Sequence, residues 1–167
     1  METEFEFDLV FSLPAGKVDE GQMLDALFEA GCDDTVIGLG APGLVALAFR
    51  REGGDAEAVI SAAVAQVGQA LGAGAQLREV RPDLVSLADV AARLQVTRQA
   101  LQKRDMPPPS LGGLYRASEM AHHLIAAGGK VQVGMAAAQA WFNAAPGAQR
   151  VNAKLSLGAQ DQVVKRA

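Results

Sequence analysis

The stretch from residue 86 to residue 104 constrains the fold most, because its pattern specifies two short helices and the turn between them. Ser86 and Thr97 each stand where a side-chain oxygen can cap the first turn of a helix. Apolar residues follow at helical spacing, namely Leu87, Val90, Ala91 and Leu94, then Val96 in the turn, then Ala100 and Leu101. The sequence therefore predicts two packed helices, the second of which directs a polar side outward.

The polar side of the second helix has the composition of a DNA-contacting surface. Arg and Lys suit guanine edges or phosphates, and Gln suits adenine. The predicted DNA-binding residues are Thr97, Arg98, Gln99, Gln102, Lys103 and Arg104. The stretch resembles the DNA-binding helix-turn-helix families, which usually have Gly where this chain has Gln95. At Gln95 the backbone must either become left-handed or extend the first helix by one residue.

The charge of the chain changes sign at about residue 83. Residues 1–83 carry five basic and fifteen acidic side chains, a net of −10, whereas residues 84–167 carry ten basic and four acidic ones, a net of +6. Basic side chains that displace counterions from phosphates supply most non-specific DNA affinity. We therefore expect the basic half to approach DNA while the acidic half stays away. The alternative is two ordinary solvated surfaces with an accidental imbalance.

Residues 1–83 are predicted to form an acidic α+β domain. Strands are expected over 5–13, 35–39, 44–49 and 76–80, with one helix after Asp19 and another after Asp55. The order β-α-β-β-α-β is the split βαβ, or ferredoxin-like, arrangement, which leaves one sheet face for a partner, a ligand or solvent. The segment from Gly38 to Gly43 matches a dinucleotide-binding pattern, but a strand follows it, so a hairpin turn is predicted instead.

A short wing is predicted after the second of the two helices. Pro107–Pro109 imposes an extended path, and a strand is expected over Leu114–Arg116. Ser118 is predicted to cap the next helix, which is expected to end at Gly128–Gly129. This layout resembles the winged helix-turn-helix of the excisionase and MerR-type regulators. The resemblance implies that Arg116 in the wing reaches a phosphate or the minor groove.

The resemblance extends over residues 5–127, which look like a bacterial family of small DNA-binding proteins with an acidic α+β domain before such a module. Its most specific pieces are residues 27–34 and 90–101. The resemblance implies DNA binding and little beyond it.

Residues 129–167 are predicted to form a C-terminal helix and a basic tail. The helix is expected over Val133–Ala144, where Trp141 and Phe142 either anchor an interface or complete the local core. From Pro146 onward the chain is rich in Ala, Gln and Gly. This tail either adds weak DNA contacts or has no function.

The sequence has no pattern typical of an enzyme. His122 and His123 are adjacent, so on a helix they point about 100° apart and do not share a metal. Asp33 and Asp34 raise the pKa of the neighbouring Cys32 thiol, which argues against a nucleophile. We expect no catalytic residue, no cofactor and no metal.

The same features bear on location. The chain has no run of about 18 apolar residues. Its acidic start does not resemble a secretory signal, and its one cysteine suits a reducing setting. A cytoplasmic protein without a membrane partner is expected.

Taken together, these patterns predict a mixed α+β, sequence-specific DNA-binding protein, a bacterial transcriptional regulator that binds double-stranded DNA as a homodimer. Its expected parts are an acidic ferredoxin-like domain (1–83), a winged helix-turn-helix module (84–128) and a C-terminal helix with a basic tail (129–167). An alternative is a protein-interaction module, such as an antitoxin or adaptor, whose acidic N-terminal domain binds a partner protein. A third interpretation makes that domain a small-molecule sensor coupled to the DNA-binding part.

Overall fold

The computed structural model describes residues 2–14, 19–38 and 40–166, with side chains described as far as residue 158. Over these residues the chain is a mixed α+β fold with seven helices, a four-stranded antiparallel sheet and a small two-stranded sheet. The strands are β1 (Thr3–Ser12), β2 (Val36–Gly38), β3 (Leu44–Gly53), β4 (Gln76–Arg81), β5 (Leu84–Val85) and β6 (Tyr115–Arg116). The helices are α1 (Glu20–Glu29), α2 (Ala56–Leu71), α3 (Leu87–Leu94), α4 (Arg98–Gln102), α5 (Ala117–Leu124), α6 (Gly129–Ala137) and α7 (Gln139–Arg166).

The larger sheet has the order β2–β3–β1–β4, and every neighbouring pair is antiparallel. Alternate residues of a strand face opposite sides. In β1 the buried side is formed by Phe5, Phe7, Leu9 and Phe11, which join a core with residues of α1, α2 and α7. Glu4, Glu6 and Asp8 lie on the other side of the same strand. The four strands and two helices predicted for this region are confirmed, although β3 continues to Gly53 instead of ending at residue 49.

The hairpin predicted around Gly38–Gly43 is also confirmed. Strand β3 begins at Leu44 and pairs with β2, so no helix N-terminus follows the glycines. Leu39 lies outside the described residues. A dinucleotide phosphate would therefore have no helix N-terminus to face at this place.

A second core lies among α3, α4, α5, α6 and the first turns of α7. It contains Val90, Leu94, Leu101, Met120, Leu124, Val131, Met135 and Trp141, among others. Strand β5, which is not among the predicted strands, pairs with β6, and its Val85 belongs to this core. A two-residue strand is too short to show alternation, so its sequence carries no period to detect.

The final helix differs from the sequence interpretation of residues 129–167. Instead of one helix and a tail, the structure has α6 followed by α7, and Pro146 lies exposed inside α7. Ala148 and Val151 beyond it are buried against the sheet, while Trp141 and Phe142 are buried in the second core. A proline inside a helix costs about 3 kcal/mol. The burial of α7 against both cores offsets that cost, and Trp141 and Phe142 complete the local core.

The start of α5 is a second correction. The helix begins at Ala117, and Ser118 does not cap it. The Ser118 hydroxyl instead donates to Oε1 of Gln149 at 3.0 Å, which joins α5 to α7. A contact with a residue 31 positions away is not visible in the local pattern from which the cap was inferred.

Candidate nucleic-acid interface

The turn between α3 and α4 is fixed by local hydrogen bonds. Ser86 and Asp89 form a capping box, in which the Asp89 N–H donates to the Ser86 hydroxyl at 3.0 Å and the Ser86 N–H donates to the Asp89 carboxylate at 2.9 Å. Thr97 caps α4 by accepting from the Ala100 N–H at 3.1 Å. Both caps confirm the sequence analysis. Gln95 takes the left-handed alternative, with φ 56° and ψ 42°.

Helix α4 is short and is held by a single fully buried side chain. Leu101 is inserted into the second core, whereas the other side of the helix faces solvent. Six of the predicted DNA-binding residues are exposed together on and around α4, namely Thr97, Arg98, Gln99, Gln102, Lys103 and Arg104. Lys103 and Arg104 follow the last helical residue, so the surface consists of one helical turn and its C-terminal extension.

Arg116 is not part of this surface. Its Nη1 lies 2.7 Å from Oδ1 of Asp83, and the two side chains are only 22% and 11% exposed. The other oxygen of Asp83 accepts from Nδ2 of Asn152 at 2.9 Å. Arg116 therefore connects the two-stranded sheet to the segment before β5 and to α7. This placement favours a structural role over the phosphate contact that the resemblance implies.

Other basic residues of the second half also pair with acidic residues of the first half. Arg93 of α3 pairs with Glu6 of β1 and lies 5.0 Å above the ring of Trp141. Arg150 and Lys154 of α7 both pair with Glu57 of α2. The charge separation along the sequence is thus partly used for contacts between the two halves.

Among the described side chains of the second half, four basic ones have no ion pair: Arg98, Lys103, Arg104 and Lys130. Three of them are on or directly after α4, and Lys130 is at the start of α6. Arg104 also donates from Nη2 to the carbonyl of Gly128 at 3.3 Å. The unneutralised positive charge is therefore concentrated around the helix whose residues suit DNA.

A cleft of 830 Å³ lies between the outer side of the sheet and α3. Asp8, Arg81, Arg93 and Trp141 are among its lining residues. Burial raises the pKa of Asp8. Burial alone would also raise the pKa of Glu6, but hydrogen bonds from Arg50 and Arg93 outweigh burial, so that pKa is lowered. Glu6 is thereby kept ionised as the partner of Arg93.

Cys32 belongs to the first core, whereas His122 and His123 lie on α5. Cys32 is buried, and burial raises the pKa of its thiol. His122 and His123 are exposed on α5. The described residues contain no group of three metal-ligating side chains placed to hold an ion. None of the described helices has both the length and the apolar character needed to cross a membrane.

No protein-family model matches the chain, and comparisons with curated proteins and with solved structures give no match. The site is therefore interpreted from its own geometry.

The sequence analysis did not include Lys130 in the DNA-binding surface. The sequence predicts that the preceding helix ends at Gly128–Gly129, which is wrong, because α5 ends at Leu124 and the two glycines begin α6. Its closeness to α4 comes from the packing of α6 on α3, which joins residues far apart in sequence.

Proposed function

We propose that the protein is a sequence-specific DNA-binding protein, a bacterial transcriptional regulator that inserts α4 into the major groove of double-stranded DNA. The observation that carries this proposal is the concentration of unpaired basic side chains around an exposed, capped α4. The major groove admits a helix, and its base edges match Arg and Gln side chains. A buried Leu101 fixes which side of α4 faces outward.

The proposed roles follow from the position of each residue along α4. In helix-turn-helix proteins the first residues of the second helix contact base edges. Arg98 and Gln99 occupy that position, with Gln102 one turn further on, and Lys103 is the last residue proposed to reach bases. Arg104 contacts a phosphate. Arg116 is not included, because its guanidinium is paired with Asp83.

We also propose a homodimer, because one turn of recognition helix contacts few base pairs and two copies double the site. Residues 3–81 are proposed to be a split βαβ, or ferredoxin-like, unit. The strand order β2–β3–β1–β4, with a helix after β1 and after β3, supports that assignment. A cytoplasmic location follows from the proposed partner, DNA.

Fluorescence anisotropy tests the proposal directly. The full chain is titrated into duplex DNA from the region upstream of its own gene and into random duplex, each over a series of salt concentrations. Saturable binding with a preference for the upstream duplex is expected. If the chain binds neither duplex at low salt, the proposal is overturned.

The Arg98→Ala variant tests the base contact. Loss of one Arg–guanine contact costs about 1–3 kcal/mol, so the affinity for the preferred duplex is expected to fall about 5- to 150-fold. Arg50→Ala is the control, because Arg50 is an exposed arginine that pairs with Glu4 and Glu6 on the sheet. An equal loss on the preferred and random duplexes would show that Arg98 does not contact a base.

A second candidate is a protein-interaction module, such as an antitoxin or adaptor. It is favoured by Leu24 and Phe28, which lie four residues apart on α1 and are 48% and 68% exposed. Acidic residues Asp25 and Glu29 follow each of them along the same helix. The double variant Leu24→Ser, Phe28→Ser is expected to retain DNA binding if this surface serves only a protein partner. If that variant loses DNA binding while remaining folded, the two surfaces are not independent.

A further inference from the structure

We propose that the DNA-binding surface includes a second element, α6, whose Lys130 binds a backbone phosphate beside the groove that α4 enters. This inference rests on the proposed function and adds a contact from outside the helix-turn-helix. It is carried by the packing of α6, by the lining of the groove next to Lys130, and by the absence of an ion pair for that side chain within the described part of the chain.

The start of α6 lies close to the C-terminal end of the DNA-contacting segment and to the turn before it. Arg104, two residues after the end of α4, donates from Nη2 to the Gly128 carbonyl at 3.3 Å. Lys130 also lines a groove of 550 Å³ together with Gln95, the residue of the turn before α4. Lys130 therefore belongs to the same surface as the turn and the extension of α4.

Helix α6 is a rigid support for this lysine. Val131, the next residue, is buried in the second core, and Gly134 lies against the end of α3. A Cβ atom at Gly134 would lie 2.4 Å from the carbonyl oxygen of Leu94, so the two backbones are in close contact. The backbone that carries Lys130 is therefore held against α3, while its side chain extends into solvent.

The charge of the groove favours a polyanion. Its lining residues are Arg93, Leu94, Gln95, Gly129, Lys130, Val133, Gly134 and Ala137, and none of these is acidic. Arg93 is neutralised by Glu6, whereas Lys130 is exposed and has no ion pair among the described residues. A phosphate would supply the counter-charge that the protein does not.

Lys130 lies on an element beside α4, where a duplex bound to α4 would have its phosphate backbone. A helix in a major groove about 12 Å wide has a phosphate strand on each side of it. A basic residue on an element beside the recognition helix therefore meets backbone instead of base edges. Such a contact adds affinity on any sequence and contributes one released counterion.

The test compares Lys130→Ala with Lys154→Ala in the full chain, using both duplexes and the salt series described above. Both lysines are exposed on helices, but Lys154 pairs with Glu57. For Lys130→Ala, the slope of log affinity against log salt is expected to become shallower by about 0.9 per protomer, with equal losses on both duplexes. Lys154→Ala is expected to keep the wild-type slope, and Lys130→Arg to restore it.

The outcomes separate this inference from the proposed function. A Lys130→Ala protein that binds with the wild-type slope overturns the phosphate contact and leaves the role of α4 intact. A loss confined to the upstream duplex also overturns it, because phosphates are common to both. Failure of the wild-type chain to bind either duplex overturns both proposals. Thermal unfolding at the wild-type temperature confirms that each variant is folded.

Discussion

Replacement of Gly147 by alanine tests whether α7 is a structural bridge, as its packing indicates. Gly147 is buried where α7 crosses the first turn of α2. A Cβ atom there would lie 2.7 Å from the carbonyl carbon of Ala56 and 2.7 Å from the nitrogen of Glu57. These are backbone atoms of a capped helix, in which Asp55 accepts from the Ala58 N–H at 2.8 Å. One of the two helices must therefore move.

Two opposing effects determine the magnitude. Alanine is favoured over glycine inside a helix by about 1 kcal/mol. Overpacking of a well-packed core costs about 1–3 kcal/mol, and a contact with backbone belongs at the upper end because no side chain can rotate away. The Gly147→Ala change is therefore expected to lower the free energy of unfolding by about 2 kcal/mol.

Gly158→Ala in the same helix is the matched control. No atom lies within 4 Å of a Cβ at Gly158, so only the helix preference acts, and a gain of up to about 1 kcal/mol is expected. Urea unfolding, followed by far-ultraviolet circular dichroism and by the fluorescence of Trp141, measures both variants. If Gly147→Ala is as stable as the wild type or gains as much as Gly158→Ala, α7 does not pack on α2 as described.

Three other substitutions have expected effects on the free energy of unfolding. Glu6→Gln is expected to lower the free energy of unfolding at pH 7. The pKa of Glu6 is lowered in the folded state, so ionised Glu6 stabilises the fold above its unfolded-state pKa, and this stabilisation is lost as pH falls through the folded-state pKa. A difference between variant and wild type that is the same at pH 3 as at pH 7 would contradict this. Asp8→Asn is expected to raise the free energy of unfolding at pH 7, because the raised pKa of Asp8 means that the fold loses stability as this carboxyl ionises with rising pH. At pH 3 the unfolding curves of variant and wild type should coincide. A variant less stable than the wild type at pH 7 would show that ionised Asp8 does not destabilise the fold. Gln95→Gly is expected to raise the free energy of unfolding by up to about 1 kcal/mol, because φ is 56° at that position and glycine adopts such a left-handed backbone without strain. A urea midpoint no higher than that of the wild type would show that the turn is unstrained.

The parts of the structure that were predicted from sequence depend on local rules. A cap needs only one side chain and the helix that follows it, so Ser86 and Thr97 were identified by position alone. The alternation in β1 is likewise a property of consecutive residues. For the same reason, the six exposed residues around α4 were predictable, because a buried Leu101 fixes the outward side of a short helix.

The parts that were missed depend on contacts between distant residues. Pro146 and Gly147 are ordinary signals of a helix end, and only burial against α2 and the sheet explains why α7 continues through them. Arg93 finds Glu6 across 87 positions, a pairing that no local pattern specifies. Residue type predicted a basic surface, but it did not show which basic residues the fold would neutralise.

The ion pairs between the two halves reduce the number of basic side chains that are free to meet DNA. If all eight basic residues with described side chains in the second half met phosphates, the salt slope would be about −7 per protomer. The four that lack an ion pair among the described side chains correspond to at most about −3.6, and to about −1.8 if only Arg104 and Lys130 meet phosphates as proposed. Under the proposed function, fewer phosphate contacts are then made than the charge of the sequence suggests, so the proposed base contacts of Arg98 and Gln99 and the proposed second protomer carry a larger share of the affinity. If the protein binds DNA as proposed, a measured slope near −7 per protomer would mean that the contacts between the halves open and release Arg93, Arg116, Arg150 and Lys154.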